Sequence, residues 1–265
     1  MELNKIYNEN CLDTMSRMED NFIDLTVTSP PYDNLRTYNG YSFDFEGIAK
    51  ELYRVTKKGG VLVWVVGDAV IKGSESGMSF RQALYFMESG FKLHDTMIYQ
   101  KHTSSFPARK DGNRYTQIFE YMFVFAKGKI KDITLICDKK NKTAGQQSRF
   151  GKYSYYNKEG DKVQEENKGK ITPDFSPRTN IWKYKVGFDK VKGHPAIFPE
   201  KLANDHIISW SNEGDLVYDC FMGSGTTAKM CLLNNRKYIG SEISKEYLDI
   251  ANKRLIKYKT ENQLF

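Results

Sequence analysis

The chain has 265 residues, 40% hydrophobic and 28% charged, enough for one large domain with a full core or one domain with an insertion. Its net charge of +7 directs attention to polyanionic partners. The four cysteines and the histidines at 94, 102, 194 and 206 show no CxxC or metal spacing. Val61 to Val66 is too short to span a bilayer, and the first residues lack a basic-then-apolar leader, so a reducing, cytoplasmic setting without metal or disulfide is expected.

In chain order, Lys5 to Tyr7 reads as a short strand and Leu12 to Met18 as a short helix. Ile23 to Thr28 is β-branched and bounded by prolines, the mark of a buried strand, with Asp24 its odd polar residue. It runs directly into Ser29-Pro30-Pro31-Tyr32. The prolines stiffen the chain and carry no N–H, so this stretch offers carbonyl acceptors without adding its own donors. Ser29 adds a hydroxyl acceptor and Tyr32 an aromatic face. An exocyclic amino group needs acceptors for its N–H bonds, and a planar base needs a stacking partner.

Phe45 to Thr56 carries a helical stripe that Gly59-Gly60 is expected to stop. Val61 to Val66 is a buried strand. Ser79 is read as the cap of a helix through Glu88, ended by Gly90. Thr96 to Gln100 and Ile118 to Ala126 alternate as strands, with Lys101 to Arg114 a loop between them. From Lys127 to about Ile181 the pattern fails, and an irregular insertion is expected, with aromatics at Phe150, Tyr153, Tyr155 and Tyr156. Residues 101–170 hold sixteen Lys and Arg against eight Asp and Glu. The excess is confined to this segment, which suits a polyanion-binding face.

Regular structure is expected to return at His194, with a helix from Pro199 to Trp210. Leu216 to Cys220 is a strand, Gly223-Ser224-Gly225 a turn, and Thr226 to Leu233 a helix. That geometry lets backbone N–H groups approach a ligand closely. A third strand, Lys237 to Ser241, ends in Glu242, placed to accept ribose hydroxyls. A helix from Ser244 to about Lys259 closes the chain. Strand–helix alternation implies a parallel sheet that binds ligands at its carboxyl edge. Ser29, Gly223 and Glu242 all follow carboxyl ends.

In the order amino pocket, basic insertion, cofactor loop, the chain resembles the β group of S-adenosylmethionine-dependent amino-methyltransferases of DNA, over nearly its whole length. Ser29 to Tyr32 matches the family's catalytic tetrapeptide. Asp219 to Thr227, with Phe221-x-Gly223-x-Gly225, matches the cofactor loop, and Glu242 the ribose-binding acid. His194 to Pro199 resembles the segment that helps enclose the methionine end, which gives roles to His194 and Phe198. Glu120 to Gly128 resembles a family strand. The family's Gly-Asp near the start, whose Asp approaches the adenine, is replaced by Glu9-Asn10-Cys11, leaving Asn10 and Cys11 as the matching positions.

The resemblance implies a seven-stranded, Rossmann-like α/β sheet, circularly permuted, with an inserted target-recognition region. Residues 1–100 would form the amino-pocket half, 101–190 the last sheet strand plus the basic insertion, and 191–265 the cofactor part. Ile118 to Ala126 would be the antiparallel member, and the last helix would finish beside the first strand. Cofactor contacts fall on Asn10, Cys11, Asp219, Phe221, Gly223, Gly225, Thr226, Thr227, Glu242, His194 and Phe198. The target base would be flipped into the pocket, with Tyr32 stacked on it and Ser29 and the Pro30 carbonyl holding its amino hydrogens. Lys101, Arg109, Lys110, Arg114, Arg149 and Lys152 are the DNA-contact candidates, with Tyr153 and Tyr156 near the last two. Ser at the first tetrapeptide position goes more often with cytosine N4 and Asp with adenine N6, so cytosine N4 is expected and adenine N6 is the alternative. An RNA amino-methyltransferase and a non-catalytic nucleic-acid-binding protein are competing readings. Double-stranded DNA, a second copy of the chain and a cognate restriction endonuclease are the implied partners.

Overall fold

Short β-branched and aromatic runs build one sheet, and the helical stripes between them cover it. The computed structural model describes residues 1–31, 43–102, 112–131, 133–147, 152–166, 169–185 and 198–261. It divides into two compact units: Met1–Thr134 with Asn180–Phe265, and Leu135–Thr179. The first unit opens with β1 (Lys5–Tyr7), α1 (Cys11–Ser16), β2 (Ile23–Thr28), α2 (Phe45–Val55) and β3 (Thr56–Val66). The two-residue strands β4 (Val70–Ile71) and β5 (Ser74–Glu75) follow, then α3 (Met78–Glu88), β6 (Lys92–Lys101) and β7 (Phe119–Ala126). The second unit holds β8 (Cys137–Lys140), β9 (Lys152–Tyr156), β10 (Lys162–Glu166) and β11 (Phe175–Pro177). The first unit resumes with β12 (Ile181–Tyr184), α4 (Glu200–Trp210), β13 (Leu216–Asp219), α5 (Thr226–Leu233), β14 (Lys237–Ser241) and α6 (Lys245–Glu261).

The main sheet runs β1-β14-β13-β2-β3-β7-β6-β12. As expected, β7 is antiparallel to both its neighbours, and every other pair in this sheet is parallel. The described sheet has eight strands rather than seven. The added strand is β12, whose Trp182 and Tyr184 are buried while Ile181 and Lys183 are exposed. That alternation is a true strand signal, but it is only four residues long and sits at the end of a polar stretch.

β13 lies beside β2, with Val217 opposite Leu25 and Tyr218 opposite Thr26. The odd polar residue of β2 explains the alignment. Asp24 takes Lys57 Nζ at 2.7 Å and the backbone N–H of Leu216, the first residue of β13, at 3.0 Å.

Three helices differ from expectation, the first being α1, which ends at Ser16 rather than Met18. α2 ends at Val55, not at the glycines, because Thr56 turns extended and its hydroxyl donates to Leu52 O at 2.6 Å. Gly59 and Gly60 lie inside β3. A Cβ on Gly60 would sit 2.8 Å from Asp24 O, so the glycine allows β2 and β3 to approach. α3 is capped by Gly77, not Ser79. Ser79 is buried inside the first turn, where its N–H and hydroxyl both donate to Asp68.

The segment expected to be irregular forms hairpins in the second unit. β9 pairs antiparallel with β10, and β8 with β11. Tyr153 and Tyr155 stack at 6.0 Å and both donate to Glu165. These strands are mostly exposed, so they show no apolar-in, polar-out contrast to read. Among the described residues, no helix is long and apolar enough to cross a membrane.

In the first unit's core, His206 is fully buried. It packs against Trp182 at 4.7 Å, and its Nδ1 accepts from Trp210 Nε1 at 3.1 Å. Burial pushes its pKa down to about 3. The unfolded chain therefore binds this proton near pH 6.5 and the native state does not, so stability is expected to fall by about 1.4 kcal/mol per pH unit between about 6.5 and 3 from this group alone. Melting curves across that range check this. His206→Phe should flatten the slope, and an equal slope in both proteins would show that His206 does not contribute.

Candidate functional site

The site begins with a buried carboxylate. Asp219 ends β13 and is 5% exposed. Its Oδ1 accepts from Thr28 Oγ1 at 2.7 Å and from the N–H of Phe221 at 3.0 Å. Its Oδ2 accepts from Thr227 Oγ1 at 2.6 Å. Burial raises the Asp219 carboxyl above its usual range, and these three donors oppose the rise. Thr28 immediately precedes Ser29. One side chain therefore fastens the amino-pocket strand, the glycine turn and the first turn of α5. The Cys220 thiol adds a contact to Thr28 Oγ1 at 3.6 Å.

The glycine turn follows. Gly223 and Gly225 have φ of 53° and 80°, a region that favours glycine. Gly225 caps α5, and a Cβ there would lie 3.0 Å from Ala251 Cβ of α6. Glu242, 8% exposed, accepts from Gly223 N at 2.7 Å and from Ser244 N at 2.8 Å. Burial pushes its carboxyl above the usual range. The backbone N–H groups of Ser244, Gly223 and Ile243 oppose that rise, and a carboxylate has about four acceptor sites, so acceptor capacity is left for a ligand. A diol acceptor fixed against a glycine turn fits the ribose end of a nucleoside cofactor. Asn8 steadies this end by donating to Glu242 O at 2.8 Å.

The other expected cofactor residues have varied settings. Asn10 Oδ1 caps α1 by accepting from Leu12 N at 2.9 Å. Cys11 is buried, its thiol pushed up to about 12 by burial, which makes it inert. A relay from Tyr218 to Ser241 to Thr14 to Glu9 braces α1 against β13 and β14. Phe221 packs on Trp64 at 6.2 Å and Phe43 at 5.8 Å. The Thr227 hydroxyl goes to Asp219, and Thr226 Oγ1 accepts from Arg254 at 3.0 Å. Phe198 is half-buried just ahead of α4. Of the amino pocket, Ser29 and Pro31 are half-buried and Pro30 is buried. Tyr32 and His194 lie outside the described residues.

Of the DNA-contact candidates, Lys101, Arg114 and Lys152 are among the described residues. Lys101 Nζ pairs with Glu120 at 2.6 Å, within the sheet. Arg114 donates to Gly73 O and faces Glu75 at 3.9 Å, so it braces the β4–β5 hairpin. Lys152 is exposed on β9, and Tyr156 is 73% exposed. Arg109, Lys110 and Arg149 lie outside the described residues. Among the described residues, no group of three His, Cys, Asp or Glu is placed to hold a metal ion.

Sequence reasoning missed Thr28, Arg254 and Glu200. Thr28 had a readable signal, since it joins a strand end to the tetrapeptide. The other two act at long range and had none.

A family model described as DNA methylase matches residues 23–253. The orphan methyltransferase M.BamHII of Bacillus amyloliquefaciens is 64% identical over 242 residues, 89% of each chain. The DNA adenine methyltransferase YhdJ of Escherichia coli (strain K12) is 26% identical over 96% of this chain and 83% of that protein. Among solved structures, the PvuII DNA methyltransferase (cytosine-N4-specific) aligns with a TM-score of 0.68 at 22% identity, over 94% of this chain and 85% of that one. The M1.HpyAVI–SAM complex aligns at 0.62 and 24% identity, over 95% of this chain and 99% of that one. These two structures speak to the fold.

Asp219→Asn keeps the size of the side chain but replaces one acceptor oxygen by a donor. Two of its partners are hydroxyls that can rotate, and the Phe221 N–H cannot. The variant is expected to lose about 1–3 kcal/mol of stability and to weaken cofactor binding. Denaturant unfolding and calorimetric titration with S-adenosylmethionine measure the two effects. Unchanged values in both would remove Asp219 from the site.

Proposed function

The chain belongs to the DNA methylase family, and we propose that its preferred target is the N4 amino group of cytosine. It is an S-adenosylmethionine-dependent amino-methyltransferase acting on DNA. The observation that carries the reading is Asp219, which binds Thr28 of the amino-pocket strand and Phe221 and Thr227 of the glycine turn with one carboxylate.

S-adenosylmethionine, when bound, supplies a methyl group on a sulfonium, which is already an excellent leaving group. The protein's task is then orientation and stabilisation of the positive charge growing on the nitrogen. The base leaves the duplex because its amino group is otherwise paired and stacked. Ser29 Oγ and the Pro30 carbonyl accept the amino hydrogens and aim the lone pair. Tyr32 stacks on the base. Glu242 accepts the ribose hydroxyls, and the Gly223–Gly225 turn admits close backbone approach. Phe221 and Phe198 supply apolar walls.

Ser29 supports cytosine because it is a neutral acceptor at the position where the adenine enzymes resembled here more often carry Asp. Adenine N6 is the second reading, favoured by the likeness to YhdJ. The motif order, amino pocket before cofactor loop, fits a circularly permuted sheet. A homodimer belongs to the same proposal. It is supported by the α3 stripe of Phe80, Leu84 and Met87, which are 50%, 59% and 45% exposed. A cytoplasmic setting is part of the same reading.

Protein, isotopically labelled S-adenosylmethionine and unmethylated mixed-sequence DNA test the proposal, with the DNA digested to nucleosides for mass spectrometry. Labelled N4-methylcytosine is expected. N6-methyladenine would overturn the choice of base, and no labelled nucleoside would overturn the activity. Tyr32→Ala is expected to cut turnover by about tenfold or more, the scale of one base–aromatic stack, with cofactor affinity kept. Loss of cofactor affinity instead would contradict the stacking role.

A further inference from the structure

Arg254 sits on the face of α6 that meets the glycine turn. Its Nη1 donates to Ser224 O at 3.0 Å and to Thr226 Oγ1 at 3.0 Å. Its Nη2 donates to Glu200, the first residue of α4. Lys229 Nζ of α5 holds the same Glu200 oxygen at 2.6 Å. The Arg254 side chain is 13% exposed, and Glu200 24%. Burial works to raise the Glu200 carboxyl, and the two cations overcome it, so it lies below the usual carboxylate range. A second observation points to the same face. Fully buried Ala251, one helical turn before Arg254, is the residue a Cβ on Gly225 would strike.

Glu200 lies two residues beyond Phe198, which the resemblance assigns to the methionine side of the cofactor site. On that assignment the guanidinium links the glycine turn to the start of the opposite wall. A lysine could not do this in the same way, because only the planar fork presents N–H groups in fixed, divergent directions. The glycine turn has no side-chain packing of its own at Gly223 and Gly225 to hold its shape. Left alone, such a turn loses conformational freedom only when a ligand orders it, and ordering at that moment weakens binding.

We propose that Arg254 is a positioning residue for methyl transfer: with Glu200 it fastens the glycine turn to the start of α4 and orders both cofactor walls before the cofactor arrives. The proposal rests on the reading of residues 219–242 as the cofactor site. It assigns to the C-terminal helix a part in substrate binding rather than in sheet covering alone.

The test uses the full chain and S-adenosylmethionine itself. Arg254→Lys keeps a cation beside Glu200 and loses the second arm. It is expected to raise the KM and the calorimetric Kd for S-adenosylmethionine by about tenfold, with kcat at saturating cofactor within about twofold. Glu200→Gln should shift the same constants in the same direction. Leu248→Ala, a cavity variant elsewhere on α6, supplies a matched loss of melting temperature. If Leu248→Ala raises KM as much as Arg254→Lys does, the effect is general loosening and the proposal fails. It also fails if Arg254→Lys leaves KM unchanged or lowers kcat alone. Failure of the wild-type protein to bind S-adenosylmethionine would instead overturn the cofactor site, and the proposal with it.

Discussion

The site depends on one carboxylate that has been taken out of water and given three hydrogen-bond donors. Burying a charge in a sheet interior is unfavourable unless hydrogen bonds replace its hydration. Asp219 receives three, from Thr28, Phe221 and Thr227. Bonds to an ionised acceptor are the strong kind. Because the donors come from three different segments, satisfying the charge also fixes those segments against each other. The requirement to solvate Asp219 is thus what holds the end of β2, next to Ser29, beside the glycine turn.

The same logic is repeated around it. Glu242 is buried and holds Gly223 and Ser244 by their backbone N–H groups. Arg254 holds the Ser224 carbonyl from the other side. The turn between β13 and α5 is therefore gripped through its main chain rather than through side-chain bulk, with Gly225 packed close against Ala251 of α6. Apolar support comes from below, where Phe221 rests on Trp64 and Phe43.

Much of this was legible in the sequence, for a local reason. Ser29 follows a β-branched run and the Gly223 turn follows a short, largely apolar one, so strand end and motif were readable together. The α5 bounds, Thr226 and Leu233, agree with the reading of a helix directly after the glycine turn. What escaped was anything decided across the chain. Gly60 looked like a helix stop, yet it is glycine because Asp24 O passes close by. Ser79 looked like a cap, yet it serves Asp68. β12 shows its alternation over only four residues, and the hairpins of the second unit are short and mostly solvated, so there tertiary pairing, not pattern, creates the strands. Lys101 counted toward a basic face, yet its charge is spent on Glu120. Arg254 stood in an ordinary charged helix until the fold brought it to Ser224.

The pairing of β2 with β13 has a consequence for how the protein is made. Thr28 and Asp219 are 191 residues apart in the chain, so at a synthesis rate of about 5–20 residues per second roughly 10–40 s separate their emergence from the ribosome. During that interval β2 can pair with β3 but shows an open hydrogen-bonding edge on its other side, the kind of edge that recruits unintended strands. The nascent chain is thus most exposed to aggregation while its amino pocket is half-built. It cannot modify DNA until its last quarter has been translated.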